Sequence, residues 1–191
     1  MKRLAMLPVL ALAVAACHDV GRTPTSVAEP VDGTSRLDVI SVSIVPANAP
    51  TGTHYQAGTS ASCSLSGGIV SCLSYQLAGV GNANGSASLS VSFSATVDCR
   101  NHGGQVVEVK AQAKGASAST GLLEPKNGRL AVPTLSSTGV SPTNATFEAS
   151  AVCPNGNWTK EVRDGTVSLD SFVYTLNFVG YPPSYITITG P

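Results

Sequence analysis

The sequence predicts an all-β fold, an antiparallel two-sheet sandwich of Ig-like or jelly-roll-like kind with about eight strands and no substantial helix beyond the leader. Three observations carry that prediction. The stretch Ser88 to Cys99 alternates without a break, its odd positions apolar or Cys and its even positions polar, the pattern of a strand with one buried face. A second alternating run, Thr146 to Cys153, also closes on a cysteine in the apolar phase. Charged residues make up only 12% of the chain, while Ser, Thr, Ala, Val and Gly are abundant; helices with an exposed face usually carry Glu and Lys there, so this composition favours strands.

Taken in order, the chain opens with Lys2 and Arg3, then an apolar run from Leu4 to Ala16 broken only by Pro8. A spanning helix needs roughly 20 apolar residues, and the order of charged, apolar and small residues is that of an export signal occupying 1–16. Its end, Val14-Ala15-Ala16-Cys17, resembles the lipobox of bacterial lipoprotein precursors. That resemblance implies cleavage before Cys17, diacylation of its thiol, acylation (palmitate) of the new amino terminus, and a membrane anchor. The site implied is the periplasm or cell surface of a bacterial envelope, on the outer membrane of a Gram-negative cell, since His18 rather than Asp follows the cysteine. The competing reading is an ordinary secretory signal cut after Ala16. Cysteine arithmetic favours the lipid: of five cysteines, removing Cys17 leaves Cys63, Cys72, Cys99 and Cys153, an even number suited to pairing in an oxidising compartment.

Cutting before Cys17 removes two cations, so the mature 175 residues carry nine Lys and Arg against eleven Asp and Glu. Nothing basic is left to track a phosphate backbone, which argues against nucleic acid as a partner. Residues 17–36 hold two prolines and two glycines after the anchor and no apolar periodicity, and read as a tether with an r.m.s. span of about 25 Å.

The domain is expected over 37–191. Ile40, Val42 and Ile44 share one phase before Pro46, and Tyr55 opens a poorer run toward Cys63. Cys63 and Cys72 flank Gly67-Gly68, a pair suited to positive φ and therefore to a hairpin turn. Leu73, Tyr75 and Leu77 continue its second arm, and a turn over 79–85 leads into the central strand Ser86 to Cys99. Gln105 to Lys114 puts Val107, Val109, Ala111 and Ala113 on one face and Glu108, Lys110, Gln112 and Lys114 on the other. Then come Asn127-Gly128 with Leu130 and Val132, the run to Cys153, and a last long run from Thr166 to Val179. That run changes phase near Asp170 and Ser171, as a β-bulge does.

Four cysteines allow three connectivities. The expected one joins Cys63 to Cys72 and Cys99 to Cys153, because the first two flank a tight turn and the others end strands in the same phase. Loop-closure entropy is worth about 4 kcal/mol for the longer loop and about 3 for the hairpin. A metal site is not expected, for want of Cys-x-x-Cys or matching His spacing.

Around these cysteines, Cys99-Arg-Asn-His-Gly-Gly104 and Cys153-Pro-Asn-Gly-Asn-Trp158 resemble motifs of small exported bacterial β-rich proteins without established activity. The resemblance covers about 86–179 and implies paired cysteines; it carries no catalytic residue and no cofactor with it.

Catalytic signatures are not found: no Gly-x-Ser-x-Gly elbow, no phosphate-binding loop with Lys, no His-Glu-x-x-His. Asp98, Glu108, Asp164 and Asp170 stand singly and make no Ca²⁺ loop. Asn144-Ala-Thr and Asn157-Trp-Thr match the glycosylation acceptor pattern by chance. The expected role is therefore non-enzymatic: a lipid-anchored domain for binding or structural contact with an envelope protein or glycan. Its candidate contact residues are Asn101, His102, Asn155, Asn157 and Trp158, in the two segments that follow Cys99 and Cys153. An alternative is a carbohydrate-binding module using Trp158, Tyr181 and Tyr185; a hydrolase, the third class, would need a cleft with converging His, Asp or Glu.

Overall fold

The computed structural model describes residues 40–115 and 117–191. The expected export signal, Cys17 and the expected tether lie outside the described residues.

The domain is organised on one long strand, β6 (Gly85–Arg100), whose inner phase from Ala87 through Leu89, Val91, Phe93, Ala95 and Val97 to Cys99 is buried throughout. Such a run of small and branched side chains has one buried face, and its even positions carry Ser, Thr and Asp outward. Both edges of β6 are used in two instalments. On one edge, β12 (Ser168–Phe178) pairs with its first half and β11 (Thr159–Val162) with its last four residues. On the other, β8 (Ala118–Ser119) pairs near the start, and β7 (Val106–Lys114) pairs from Ser92 to Arg100. Beyond β12 come β13 (Ile186–Gly190) and then β1 (Ser41–Ile44), giving seven antiparallel strands. The phase change expected near Asp170 is a real register shift between Leu169 and Ser171, with Asp170 as the extra residue.

Facing this sheet are two three-stranded sheets. One pairs β5 (Tyr75–Ala78) with β2 (His54–Tyr55) and β9 (Arg129–Val132). The other pairs β4 (Ile69–Cys72) with β3 (Cys63–Ser66) and β10 (Leu135–Ser136). Their inward residues Tyr75, Leu77, Leu130, Val132 and Val70 meet Phe172, Tyr174, Leu176 and Ile186 in one continuous core. The Tyr75 and Tyr174 hydroxyls bond to each other across the layers at 2.9 Å, which satisfies two phenols that burial would otherwise leave dry. Burial pushes both up, Tyr174 to about 12.

The expected sandwich is therefore present, with its second layer divided in two and, among the described residues, with thirteen strands rather than about eight. The additional strands are the two-residue β8 and β10, too short to show a period; β11 and β13, which lie outside the alternating runs named above; and β5, since the hairpin's second arm ends at Cys72 and Tyr75 and Leu77 belong instead to the sheet of β2 and β9. The hairpin at Gly67-Gly68 forms as expected, with φ of 56° and 74° and Cys63 opposite Cys72.

One element is of the wrong type. The run through Thr146 is not a strand but α1 (Asn144–Ser150), followed by irregular chain to Cys153. The segment is helical because it starts after Pro142, where Thr143 takes an extended N-cap conformation and its hydroxyl meets that of Thr146 at 3.1 Å. Its one large apolar residue, Phe147, is fully buried; a single anchor satisfies either period, so alternation could not discriminate. Cys153 consequently ends no strand, and it is half-buried rather than inward-facing like Cys99.

Candidate contact surface at the disulfide-tied end

Both expected disulfides are present. Cys63 joins Cys72 across the β3–β4 hairpin, and Cys99 joins Cys153 with their Cα atoms 5.7 Å apart. The second bond decides what stands at the Arg100 end of β6. There the β6–β7 connection, residues 101–105, leaves one side of the strand end, while Thr159 of β11 pairs with Arg100 on the other and its hydroxyl donates to the Arg100 carbonyl at 3.2 Å. With Cys153 bonded to Cys99, residues 154–158 are held at the same end as 101–104.

The two segments spend much of their polarity on their own turns. The Asn101 side chain accepts from the Gln105 N–H at 2.9 Å and donates to Gln105 Oε1 at 3.2 Å, closing the loop that Gly104 completes at φ 82°. Asn155 Oδ1 accepts from the Asn157 N–H at 3.0 Å, an Asx turn of the kind Asn favours. The side chains of His102 and Asn157 are exposed and Trp158 is half-buried. Among the described residues His102 makes no side-chain hydrogen bond, and no group of three His, Cys, Asp or Glu is placed to hold a metal ion. What this end offers is an imidazole, an indole and spare amide capacity on two loops joined at the end of β6.

Tyr181 and Tyr185 lie elsewhere. They follow Phe178, which pairs with Gly85 at the opposite end of β6 from Arg100. At about 3.3 Å per residue a strand of this length extends about 50 Å, so Trp158 and the two tyrosines cannot share one sugar. Tyr185 is moreover buried, its ring 5.5 Å from that of Phe178, while Tyr181 is exposed and meets Phe178 edge-on.

A charged group beside the contact surface escaped the sequence reading. On the outer face of β11, β6 and β7, Glu161, Asp98 and Glu108 stand directly opposite one another. The Arg163 guanidinium bridges two of them, 2.6 Å from Glu108 and 2.8 Å from Asp98. Hydrogen bonding to Glu108, and then to Asp98, raises the Arg163 pKa further above its usual value. These acids read as isolated because they are distant in sequence; only strand register aligns them. Asp170, at the bulge, similarly accepts from Gln112 at 3.0 Å and lies 3.7 Å from Lys110.

Among the described residues no helix is long and apolar enough to cross a membrane. No protein family, curated protein or solved structure matches the chain.

Proposed function

We propose that the protein is an exported lipoprotein, anchored through Cys17, whose β domain works by contact with an envelope component and not by catalysis. One observation carries the reading: of five cysteines, the four in the domain are consumed by two disulfides. Disulfides of this kind persist in oxidising compartments, which supports export, and their pairing leaves the fifth cysteine at the position where a lipobox requires one. For the contact itself, the support is the arrangement at the Arg100 end of β6. Two loops are tied to the same rigid strand, and loops so held are where sandwich domains usually carry recognition.

The test of the anchor is the intact mass of the chain extracted from the membranes of an expressing bacterium. The expected product begins at Cys17 and carries acyl mass; Cys17→Ser should leave the uncleaved precursor without it. A soluble chain of unmodified mass would remove the proposal. For the contact surface, a photo-cross-linking residue placed at His102 should give envelope adducts that the same residue at Gln112, on the outer sheet face, does not.

A further inference from the structure

An open cleft lies on the solvent face of the second layer and shares no residue with the loops just described. Gln76 of β5 and Ala131 of β9 are partners in the ladder and both face outward. Around them lies a cleft of about 500 Å³ with Thr59, Ser74, Leu123 and Pro133 as its walls. Through Gln76 and Ala131 it continues into a second depression of about 380 Å³, bounded by Glu124, Lys126, Asn127 and Arg129. Each volume is in the range of small-molecule sites.

The walls are fixed. The Thr59 hydroxyl donates to the Gln56 carbonyl at 2.9 Å and lies 3.1 Å from the Gln76 carbonyl, holding the 56–59 turn against β5. At the other end, the Lys126 N–H donates to the Arg129 carbonyl at 2.8 Å, and the return bond is 3.0 Å. Asn127 and Gly128 between them have φ of 51° and 71°, a tight hairpin turn. Lys126 and Arg129 are thus bridge partners, and facing residues of an antiparallel bridge project to the same side. Among the described residues neither makes an ion pair, as is also true of Arg100 and Lys114, whereas Lys110 and Arg163 are paired and Lys160 donates to the Ala151 carbonyl. Glu124 is the only carboxylate on this rim, so the two cations leave one positive charge in excess. The Gln76 side-chain amide has no partner among the described residues.

We propose that this cleft binds a carboxylated oligosaccharide. The apolar side of a sugar ring covers Ala131 and Pro133, its hydroxyls meet the Gln76 amide, and its carboxylate lies between Lys126 and Arg129. A peptide is disfavoured because β5 is paired on both edges, by β2 and β9, and an extended chain laid over the face gains none of the main-chain bonds that strand addition provides. The site stands whether or not Cys17 is acylated.

The experiment titrates the full chain with tri-galacturonic acid at low salt, with maltotriose and hexaglutamate as neutral and peptidic controls. Saturable binding of the acidic trisaccharide is expected, weakening as salt rises, with maltotriose at least about tenfold weaker because a charge-assisted contact is lost. Lys126→Ala with Arg129→Ala should cost a similar factor at an unchanged thermal midpoint, and Ala131→Trp, which fills the floor, should abolish binding. Should the tryptophan variant fail to fold, the double alanine variant and Gln76→Ala decide the matter. Absence of saturable binding, binding indifferent to these substitutions, or hexaglutamate binding as tightly as the sugar would each overturn the proposal.

Discussion

The two disulfides close regions that differ in what else holds them. Cys63–Cys72 joins residues already opposite in a ladder, with three further paired positions and a two-glycine turn beneath it. Cys99–Cys153 joins the end of the central strand to a stretch that has no ladder at all: 151–158 is irregular chain, bend and turn, preceded by the seven-residue α1. Apart from the disulfide, that region is held by buried Phe147, by the Lys160 ammonium donating to the Ala151 carbonyl at 2.7 Å, and by little else that is specific. A cross-link adds most where main-chain hydrogen bonding is absent, because there it alone limits the open states. In the hairpin it duplicates a constraint that the turn already imposes.

That contrast can be broken most sharply at Phe147. Phe147→Ala should cost about 3 to 5 kcal/mol, the range for a buried aromatic reduced to a methyl. If packing and cross-link cooperate, hydrogen exchange should quicken over 143–158 before it does in β6. Replacing Cys99 and Cys153 together by Ser should cost about 4 kcal/mol, with the same segment loosened and β3–β4 unaffected; uniform loss of protection would mean that the bond supports the sandwich as a whole. The Cys63/Cys72 double serine variant should cost about 3 kcal/mol at most and leave the hairpin register intact by NMR. A cost above that of the longer bond would reverse the comparison.

The smallest effect probes the core that both regions share. Tyr75→Phe removes one of two mutually bonded hydroxyls and leaves that of Tyr174 buried alone, a cost of about 1 to 2 kcal/mol. It also alters the alkaline limb of stability. Burial holds Tyr75 and Tyr174 neutral in the folded state well above pH 10, whereas an unfolded tyrosine ionises near its ordinary value of about 10. Their contribution is therefore complete below pH 10 and is lost as pH climbs through the folded values, Tyr174 at about 12. Chemical denaturation followed from pH 8 to 12 should show a steeper decline above pH 10 in the native chain than in Tyr75→Phe; equal slopes would contradict the assignment.

The same division separates what could be read from the chain from what could not. Strands with one buried face declare themselves: the serine-spaced β6, the Lys and Glu face of β7, the glycine pair of the hairpin and the phase slip at Asp170 all follow from local chemistry. Ile40, Val42 and Ile44 were also read in the correct phase, since Val42 and Ile44 stand opposite inward-facing Ile188 and Ile186. Yet Val42 and Ile44 are 50% and 41% exposed, because none of the described residues covers the inner side of this edge strand there. Period says which way a side chain points, and the other layer decides whether it is buried. Where a single residue supplies the whole apolar signal, as Phe147 does in α1, period says nothing. Side-chain groupings that depend on register, such as Arg163 with Asp98 and Glu108, or Lys126 with Arg129 at the cleft, become visible only once strands are paired.

The pairing of β1 with β13 sets the first strand of the domain against the last, Ser41 opposite Thr189. During synthesis, β1 emerges roughly 150 residues before its partner exists, so this edge of the sheet cannot close until β13 has been made. Contacts of such sequence separation form late. The hairpin around Gly67-Gly68 can be complete long before then, while β1 waits with Val42 and Ile44 uncovered. Assembly of this domain is therefore timed by its C-terminal strand.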